Sequence, residues 1–285
     1  MNRLALFLAI GVVMTASLTA PAADTLDWRK ETSVYKTVDT TIIEADVYRR
    51  NGDDQRPVVV WIHGGAFRTG SKDQAGSVTW LTEHGYAVVS INYRLSQEAI
   101  YPAQIQDCQA AVAWLRAHAA EYGFDPVRFG VWGPSAGGHL VSMVGLTAGP
   151  NDPSRVRAVV DFFGPTDFLQ MDAHALPKGM KHDPVDSPES QLVGGAIQDN
   201  KDKVARANPV TYVTAQAPPF LILHGDQDPL VPVHQSELLH AALKQASVPV
   251  TFHKIIGAGH GGPQFDTPVV RAMVLAFFDQ HLKAR

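Results

Sequence analysis

The chain has very little cysteine. Its 285 residues include a single one, Cys108, so no disulfide can form within the chain. Cys108 belongs to a set of apolar residues three or four positions apart, together with Ile105, Val112 and Leu115. This spacing is typical of one helix face. We therefore expect a buried structural thiol, and not a nucleophile or an intermolecular bridge.

The sequence also lacks basic clusters, internal repeats and low-complexity tracts. Its formal net charge is −4 at pH 7. Without a basic patch to contact phosphates, we expect no nucleic-acid partner. A hydrophobic content of 45% and a charged content of 18% are those of a well-packed soluble enzyme.

Only one long hydrophobic run occurs, at the N-terminus. It extends from Leu4 to about Ala20, behind one basic residue, and ends in small residues. A run of about 17 residues is marginal for a membrane span, and its last third is weakly polar. These features predict a secretory signal peptide over residues 1–22, with cleavage after Ala22 or Ala23. We expect an exported protein, secreted or periplasmic, without a stable membrane anchor.

The remaining residues, 23–285, have the length and pattern of one α/β domain. Strand patterns, several of them nearly continuous in hydrophobic residues, occur at Pro57–His63, Tyr86–Asn92, Phe129–Trp132, Arg157–Phe163, Pro219–His224 and Val250–Ile256. Helical patterns occur at Asp73–His84, Ala103–Tyr122, Ala136–Leu146, His234–Gln245 and Thr267–Leu282. This alternation predicts a mostly parallel, doubly wound sheet with right-handed crossovers. An antiparallel hairpin, Ser33–Asp39 with Thr41–Tyr48, is expected at one edge.

One segment interrupts this alternation. About 55 residues, 164–217, separate two successive strands, far more than a simple crossover needs. The segment is rich in proline and has weak periodicity. We interpret it as a small cap insertion over the active site and not as a second domain.

Ser135 is the candidate nucleophile. It lies in Gly133-Pro134-Ser135-Ala136-Gly137, between a short strand and an apolar helix. A sharp strand–turn–helix of this kind needs small residues two positions before and after the serine, which Gly133 and Gly137 supply. The helix N-terminus would add N–H groups near a developing oxyanion.

A serine hydroxyl needs a base to remove its proton. His260 follows the last predicted strand and is flanked by glycines, so its loop can turn back over the sheet. His224 ends a strand beside an acidic loop and is the main alternative. We select His260 as the base.

The carboxylate that orients this histidine is expected after the Pro219–His224 strand. Asp226 and Asp228 both follow it. Asp228 precedes a proline that helps to fix the loop, so we select Asp228. Asp226 is expected to brace the turn through backbone N–H groups.

His63-Gly64-Gly65-Ala66 follows an apolar strand. Consecutive glycines allow backbone N–H groups to converge on one oxygen. The expected oxyanion donors are the N–H groups of Ala136 and of Gly65 or Ala66, with His63 in a structural role. The chain order Ser, Asp, His is that of an α/β-hydrolase triad.

The chain resembles the α/β-hydrolase esterases of the bifunctional feruloyl and acetyl-xylan esterase-like group, which are related to hormone-sensitive-lipase-like carboxylesterases. The resemblance extends over about 57–282. The matching segments are His63–Lys72, Asn92–Arg94, Asp125–Gly133, Gly133–Leu140 and His224–Pro232. It implies an α/β-hydrolase fold, the triad Ser135, Asp228 and His260, and oxyanion donors at Gly65, Ala66 and Ala136.

The resemblance further implies a serine carboxylic-ester hydrolase acting on short-acyl or carbohydrate-linked esters such as acetyl or feruloyl esters. Phe67 and Tyr93 are tentative pocket residues. No cofactor or metal is expected, because the spacing of His174, His182 and Asp183 matches no standard metal site. A serine peptidase or amidase, a lactonase, and a non-catalytic binding protein on the same scaffold are the alternatives.

Overall fold

A computed structural model describes Met1 and residues 28–52 and 55–283. The predicted signal peptide, apart from Met1, lies outside the described residues. Within these residues, eight strands form one sheet: β1 (Trp28–Val38), β2 (Thr41–Arg50), β3 (Arg56–Ile62), β4 (Ala87–Ile91), β5 (Phe124–Pro134), β6 (Ala158–Phe162), β7 (Phe220–Gly225) and β8 (Val250–Ile255). Their spatial order is β1-β2-β4-β3-β5-β6-β7-β8.

The sheet is mostly parallel, as predicted. Strand β2 is antiparallel to both of its neighbours, and each other adjacent pair is parallel. Strands β1 and β2 form the expected hairpin at one edge, and β8 forms the opposite edge. The carboxyl ends of β3, β5, β6, β7 and β8 therefore meet at the same end of the sheet.

Helices cover both faces of the sheet. They are α1 (Ala103–Ala117), α2 (Ala119–Tyr122), α3 (Ala136–Thr147), α4 (Met171–His174), α5 (Pro188–Val193), α6 (Lys201–Ala207), α7 (His234–Gln245) and α8 (Pro268–Phe278). Short 3₁₀ turns occur at Lys72–Ser77, Thr79–His84, Phe168–Gln170, Ile197–Asp199, Pro209–Tyr212 and Pro263–Phe265, and a π turn at Asp279–Lys283. Among the residues described, none of these helices is long and apolar enough to cross a membrane.

The two hydrophobic clusters follow from the alternation of side chains along each strand. In β3, Val58, Val60 and Ile62 face a layer that contains α1 and α3. Val59 and Trp61 face the opposite layer, which contains α8. Cys108 of α1 is fully buried in the first cluster, as predicted, and burial raises the pKa of its thiol.

The predicted helix over 73–84 is wrong. The structure has two 3₁₀ turns there, interrupted at Val78, whose φ of −124° and ψ of −11° lie outside the helical range. Gly76 and the β-branched Val78 and Thr79 are poor helix formers. Similarly, the helical region 103–122 is interrupted at His118, between α1 and α2.

The insertion over 164–217 is folded onto the body of the domain. Its apolar side chains enter the same cluster as β3 and α1; they include Phe168, Met171, Leu192, Val193, Ile197, Val204 and Ala207. These residues are spaced irregularly along several short helical turns. The insertion thus contributes to the main core and is not a separate layer resting on it.

Because Phe168 is fully buried, Phe168→Ala should lower the free energy of unfolding by about 3–5 kcal/mol. Val185→Ala, at a position 67% exposed in the same insertion, should change it by about 0.5 kcal/mol or less. Urea unfolding followed by circular dichroism measures both. A separate early transition that alone responds to Phe168→Ala would contradict the shared core.

Candidate active site

The turn between β5 and α3 holds Ser135 in a strained conformation. Its φ of 56° and ψ of −124° are unusual for a residue with a side chain. The chain around it is closely packed: a Cβ at Gly133 or Gly137 would overlap the carbonyl oxygen of Ile62 in β3. Small residues two positions either side of Ser135 are therefore a steric requirement of this turn.

Ser135, His260 and Asp228 lie in one line of hydrogen bonds. The Oγ of Ser135 is 2.9 Å from Nε2 of His260. Nδ1 of His260 is 2.6 Å from Oδ2 of Asp228. The three residues follow β5, β8 and β7, and the parallel sheet brings these strand ends together.

Asp228 is buried and well supplied with hydrogen-bond donors. Its Oδ1 accepts bonds from the backbone N–H groups of Leu230 and Val231, at 2.8 and 2.9 Å. Burial alone would raise the pKa of this carboxyl group. The bonds to His224 and His260 outweigh burial and hold the pKa of Asp228 well below its usual range. Asp228 is thus ionised at neutral pH.

The alternative residues for the base and the acid have other partners. His224 is fully buried, with Nδ1 2.7 Å from Oγ of Ser236. Its Nε2 lies 3.2 Å from Asp228, and among the described residues it has no hydrogen bond to Ser135. Asp226 accepts a 2.6 Å bond from the N–H of Gly257 and so joins the loops after β7 and β8, as a bracing residue would.

The loop after β3 has an unusual backbone. Gly65, Ala66 and Phe67 have successive positive φ values of 104°, 55° and 60°. A Cβ at Gly65 would overlap the carbonyl oxygen of Thr69, so only glycine fits there. Among the described groups, the N–H groups of Gly65, Ala66 and Ala136 have no hydrogen-bond acceptor. They are available to a bound oxygen.

The structure places neither tentative pocket residue, Phe67 or Tyr93, in the wall around Ser135. Phe67 is 1% exposed and packs edge-on against His139, because the positive φ values of its loop direct it into the core. Tyr93 is also buried, stacks on His63 at 4.3 Å and donates a 3.0 Å hydrogen bond to the His63 carbonyl. Tyr93 thus supports the loop from beneath, and Phe67 anchors the loop in the core.

A pocket of about 430 Å³ opens beside Ser135. One part of its wall is apolar and includes Phe163, whose ring lies 4.7 Å from that of His260. Another part is polar. The full lining is Gly64, Gly65, Ala66, Arg68, Thr69, Gln74, Pro134, Ser135, Phe163, Leu230 and His260.

The insertion, predicted as a cap, contributes no residue to this lining. It reaches the rim indirectly: Arg68 donates to the carbonyl of Asp186 at 3.3 Å. His174 stacks on His234, and His182 bonds to Glu189. In the described part of the chain, no three His, Cys, Asp or Glu side chains are grouped as a metal site requires.

Comparison with known proteins gives the family. The BD-FAE family model matches residues 45–243, from within β2 to near the end of α7, and includes the loops of Gly65, Ser135 and Asp228. The chain belongs to the BD-FAE family. A curated relative, the probable carboxylic ester hydrolase LipM of Mycobacterium tuberculosis, is 39% identical over 71% of this chain. The chain spans about half the length of two curated relatives that it matches, 49% of LipM and 53% of the esterase LipQ of the same organism.

Two solved structures share the fold over nearly the whole chain. A truncated carbohydrate esterase from gut microbiota is 29% identical with a TM-score of 0.79, covering 91% of this chain and 99% of its own. A bifunctional GH43-CE protein of Bacteroides eggerthii is 32% identical with a TM-score of 0.78, covering 90% of this chain and 35% of its own. The α/β-hydrolase fold and the esterase resemblance predicted from the sequence are confirmed.

Sequence analysis missed several residues around the pocket. Leu230 lies two positions after Asp228, and Phe163 directly follows β6. Their positions at strand ends could have indicated them. Arg68, Thr69 and Gln74 reach the pocket because the backbone turns after Gly65. No residue pattern predicts this turn.

His63 lies directly before the positive-φ loop, and burial lowers its pKa to about 4. Because its unfolded pKa is near 6.5, the unfolded state binds more protons between pH 4 and 6.5. Stability due to a neutral His63 is therefore lost as the pH falls through this window. In His63→Gln, the unfolding free energy should fall less steeply as the pH decreases from 6.5 to 4. The difference in slope should correspond to about one bound proton. Urea unfolding at several pH values measures this, and equal slopes in both proteins would contradict the assignment.

Proposed function

We propose that this protein is a serine carboxylic-ester hydrolase in which Ser135, His260 and Asp228 are the catalytic residues. One observation carries the proposal: the continuous hydrogen bonds from Asp228 through His260 to Ser135, at 2.6 and 2.9 Å, at the edge of an open pocket. Membership in a family with ester-hydrolase relatives supports it.

The reaction follows from this geometry. Nε2 of His260 takes the proton of Ser135 as Oγ attacks the ester carbonyl. The ionised Asp228 accepts the Nδ1–H of His260 and stabilises the imidazolium that forms. His260 then protonates the leaving alcohol. Water activated by the same histidine hydrolyses the acyl-enzyme and releases the acid.

The oxyanion of each tetrahedral intermediate would be stabilised by backbone N–H groups. Ala136 supplies one from the first turn of α3, and Gly65 or Ala66 supplies another. Their lack of protein acceptors and the rigid positive-φ loop support this role. Preorganised donors lower the barrier because they need no rearrangement as charge develops.

The pocket favours a short or aromatic acyl group on a polar alcohol. Phe163 and Leu230 offer apolar surface next to His260, whereas Arg68, Thr69 and Gln74 offer hydrogen-bonding groups. We therefore propose acetyl or feruloyl esters of carbohydrates as the substrate class. Structural relatives described as carbohydrate esterases support this choice.

The N-terminal run over Leu4 to Ala20 supports export, to the periplasm or the medium, after removal of residues 1–22. N-terminal sequencing of the protein recovered from each cell fraction tests this. A mature chain beginning at Ala23 or Asp24 is expected.

Ser135→Ala should lower kcat on p-nitrophenyl acetate on the order of 10⁴-fold or more, because the nucleophile is lost. The circular dichroism spectrum should not change. A fluorophosphonate should add one covalent adduct to the wild-type protein, on the peptide that contains Ser135, and none to the variant. Activity that survives in a folded Ser135→Ala protein would contradict the mechanism, and faster turnover of p-nitroanilides than of esters would favour an amidase.

Arg68→Ala should raise KM for an acetylated xylo-oligosaccharide about tenfold, because a charged donor to the sugar is removed. The KM for p-nitrophenyl acetate, which has no sugar, should be nearly unchanged. Lys244→Ala removes an exposed cation in the last turn of α7 and is the matched control. Equal effects of Arg68→Ala on both substrates would argue against a carbohydrate alcohol.

A further inference from the structure

The insertion contains a buried pair, His182 and Glu189, that the proposed mechanism does not use. Their side chains are 2% and 4% exposed. Nδ1 of His182 is 2.8 Å from Oε2 of Glu189. Its Nε2 is 2.9 Å from the carbonyl oxygen of Leu230, in the loop that follows Asp228.

The partners define where the protons lie. A backbone carbonyl only accepts, so Nε2 of His182 must carry a hydrogen and donate to Leu230. Two carboxylates face this histidine: Glu189 of α5 at Nδ1, and Asp172 of α4, which accepts the backbone N–H of His182 at 2.7 Å. Although burial acts to lower the pKa of His182, its bond to Glu189 raises it. The Nε2–H donor itself follows from the carbonyl acceptor at 2.9 Å.

The insertion contacts the loop that follows Asp228, called here the acid loop, at two consecutive residues. Met180 donates its N–H to the carbonyl of Pro229 at 2.7 Å, and His182 donates to the carbonyl of Leu230. The N–H of the same Leu230 donates to Oδ1 of Asp228 at 2.8 Å. One peptide segment thus connects the buried histidine to the carboxylate that orients His260.

We infer that His182, oriented by Glu189, is a positioning residue that fixes Asp228 through the backbone of Leu230. This inference rests on the proposed function. The acid loop lies between β7 and α7 without regular structure, and Leu230 is 43% exposed at the pocket wall. A displacement of about 1 Å in a catalytic array can lower turnover about 100-fold. An external support for this loop therefore has a direct effect on catalysis.

The double variant His182→Phe/Glu189→Leu separates positioning from folding. Replacing a buried polar pair by apolar residues of similar volume is often neutral or stabilising, so Tm should not fall. We expect kcat on p-nitrophenyl acetate to fall about 10- to 100-fold, with KM changed less than about twofold.

Two control variants test whether the bond from His182 to the Leu230 carbonyl is the contact that matters. Glu189→Gln allows a neutral His182 to keep its Nε2–H and its bond to Leu230, so kcat should stay near the wild-type value. Gln198→Ala removes a 2.7 Å bond to Asp183, the residue after His182, without touching the acid loop. It should leave kcat and KM unchanged.

The outcomes distinguish this inference from the function on which it rests. Ser135→Ala is measured on the same ester in parallel, and turnover that survives there would contradict the proposed function. Wild-type kcat in the folded double variant, beside an inactive Ser135→Ala, would overturn only the positioning role. A fall in kcat that comes with a lower Tm, and that Glu189→Gln shows as well, would also overturn it and leave the pair a role in folding alone.

Discussion

The close approach of the Ser135 turn to the end of β3 constrains much of this structure. The carbonyl of Ile62 occupies the space that a side chain at Gly133 or Gly137 would need. In turn, a Cβ at Gly64 would meet the carbonyl of Pro134. The strained serine and the loop of Gly65 and Ala66 are therefore fixed against each other by backbone contacts. The relative position of the hydroxyl and the free N–H groups does not depend on flexible side chains.

Around this contact the parallel sheet supplies the other groups at the ends of its strands. Asp228 and His260 follow β7 and β8, so both reach the serine at the same end of the sheet. Hydrogen bonds between their loops, such as that from Gly257 to Asp226, keep the two loops in register. The insertion after β6 adds support from outside the sheet through Leu230.

The sequence predicted the features that local chemistry determines. Ser135, Asp228 and His260 could be selected because each follows a predicted strand and has glycine or proline neighbours of a specific kind. The roles of Phe67 and Tyr93 could not, since positive φ values and ring stacking on His63 bury them. The apolar residues of the insertion are spaced irregularly, so no periodic pattern in the sequence shows that they enter the core. The bond between His182 and Leu230 joins residues 48 positions apart and leaves no local signal.

The position of β8 has a consequence for how activity and folding relate. Among the described strands, β8 is one edge of the sheet and pairs only with β7, and it has no fully buried residue along its length. His260 follows it, although Ser135 belongs to the densely packed centre. Strands of low burial are the ones that open in local fluctuations below the global unfolding free energy. The proposed base therefore depends on the least protected strand of the parallel half. Heat or denaturant can therefore inactivate the protein by separating this one outer strand before the core unfolds.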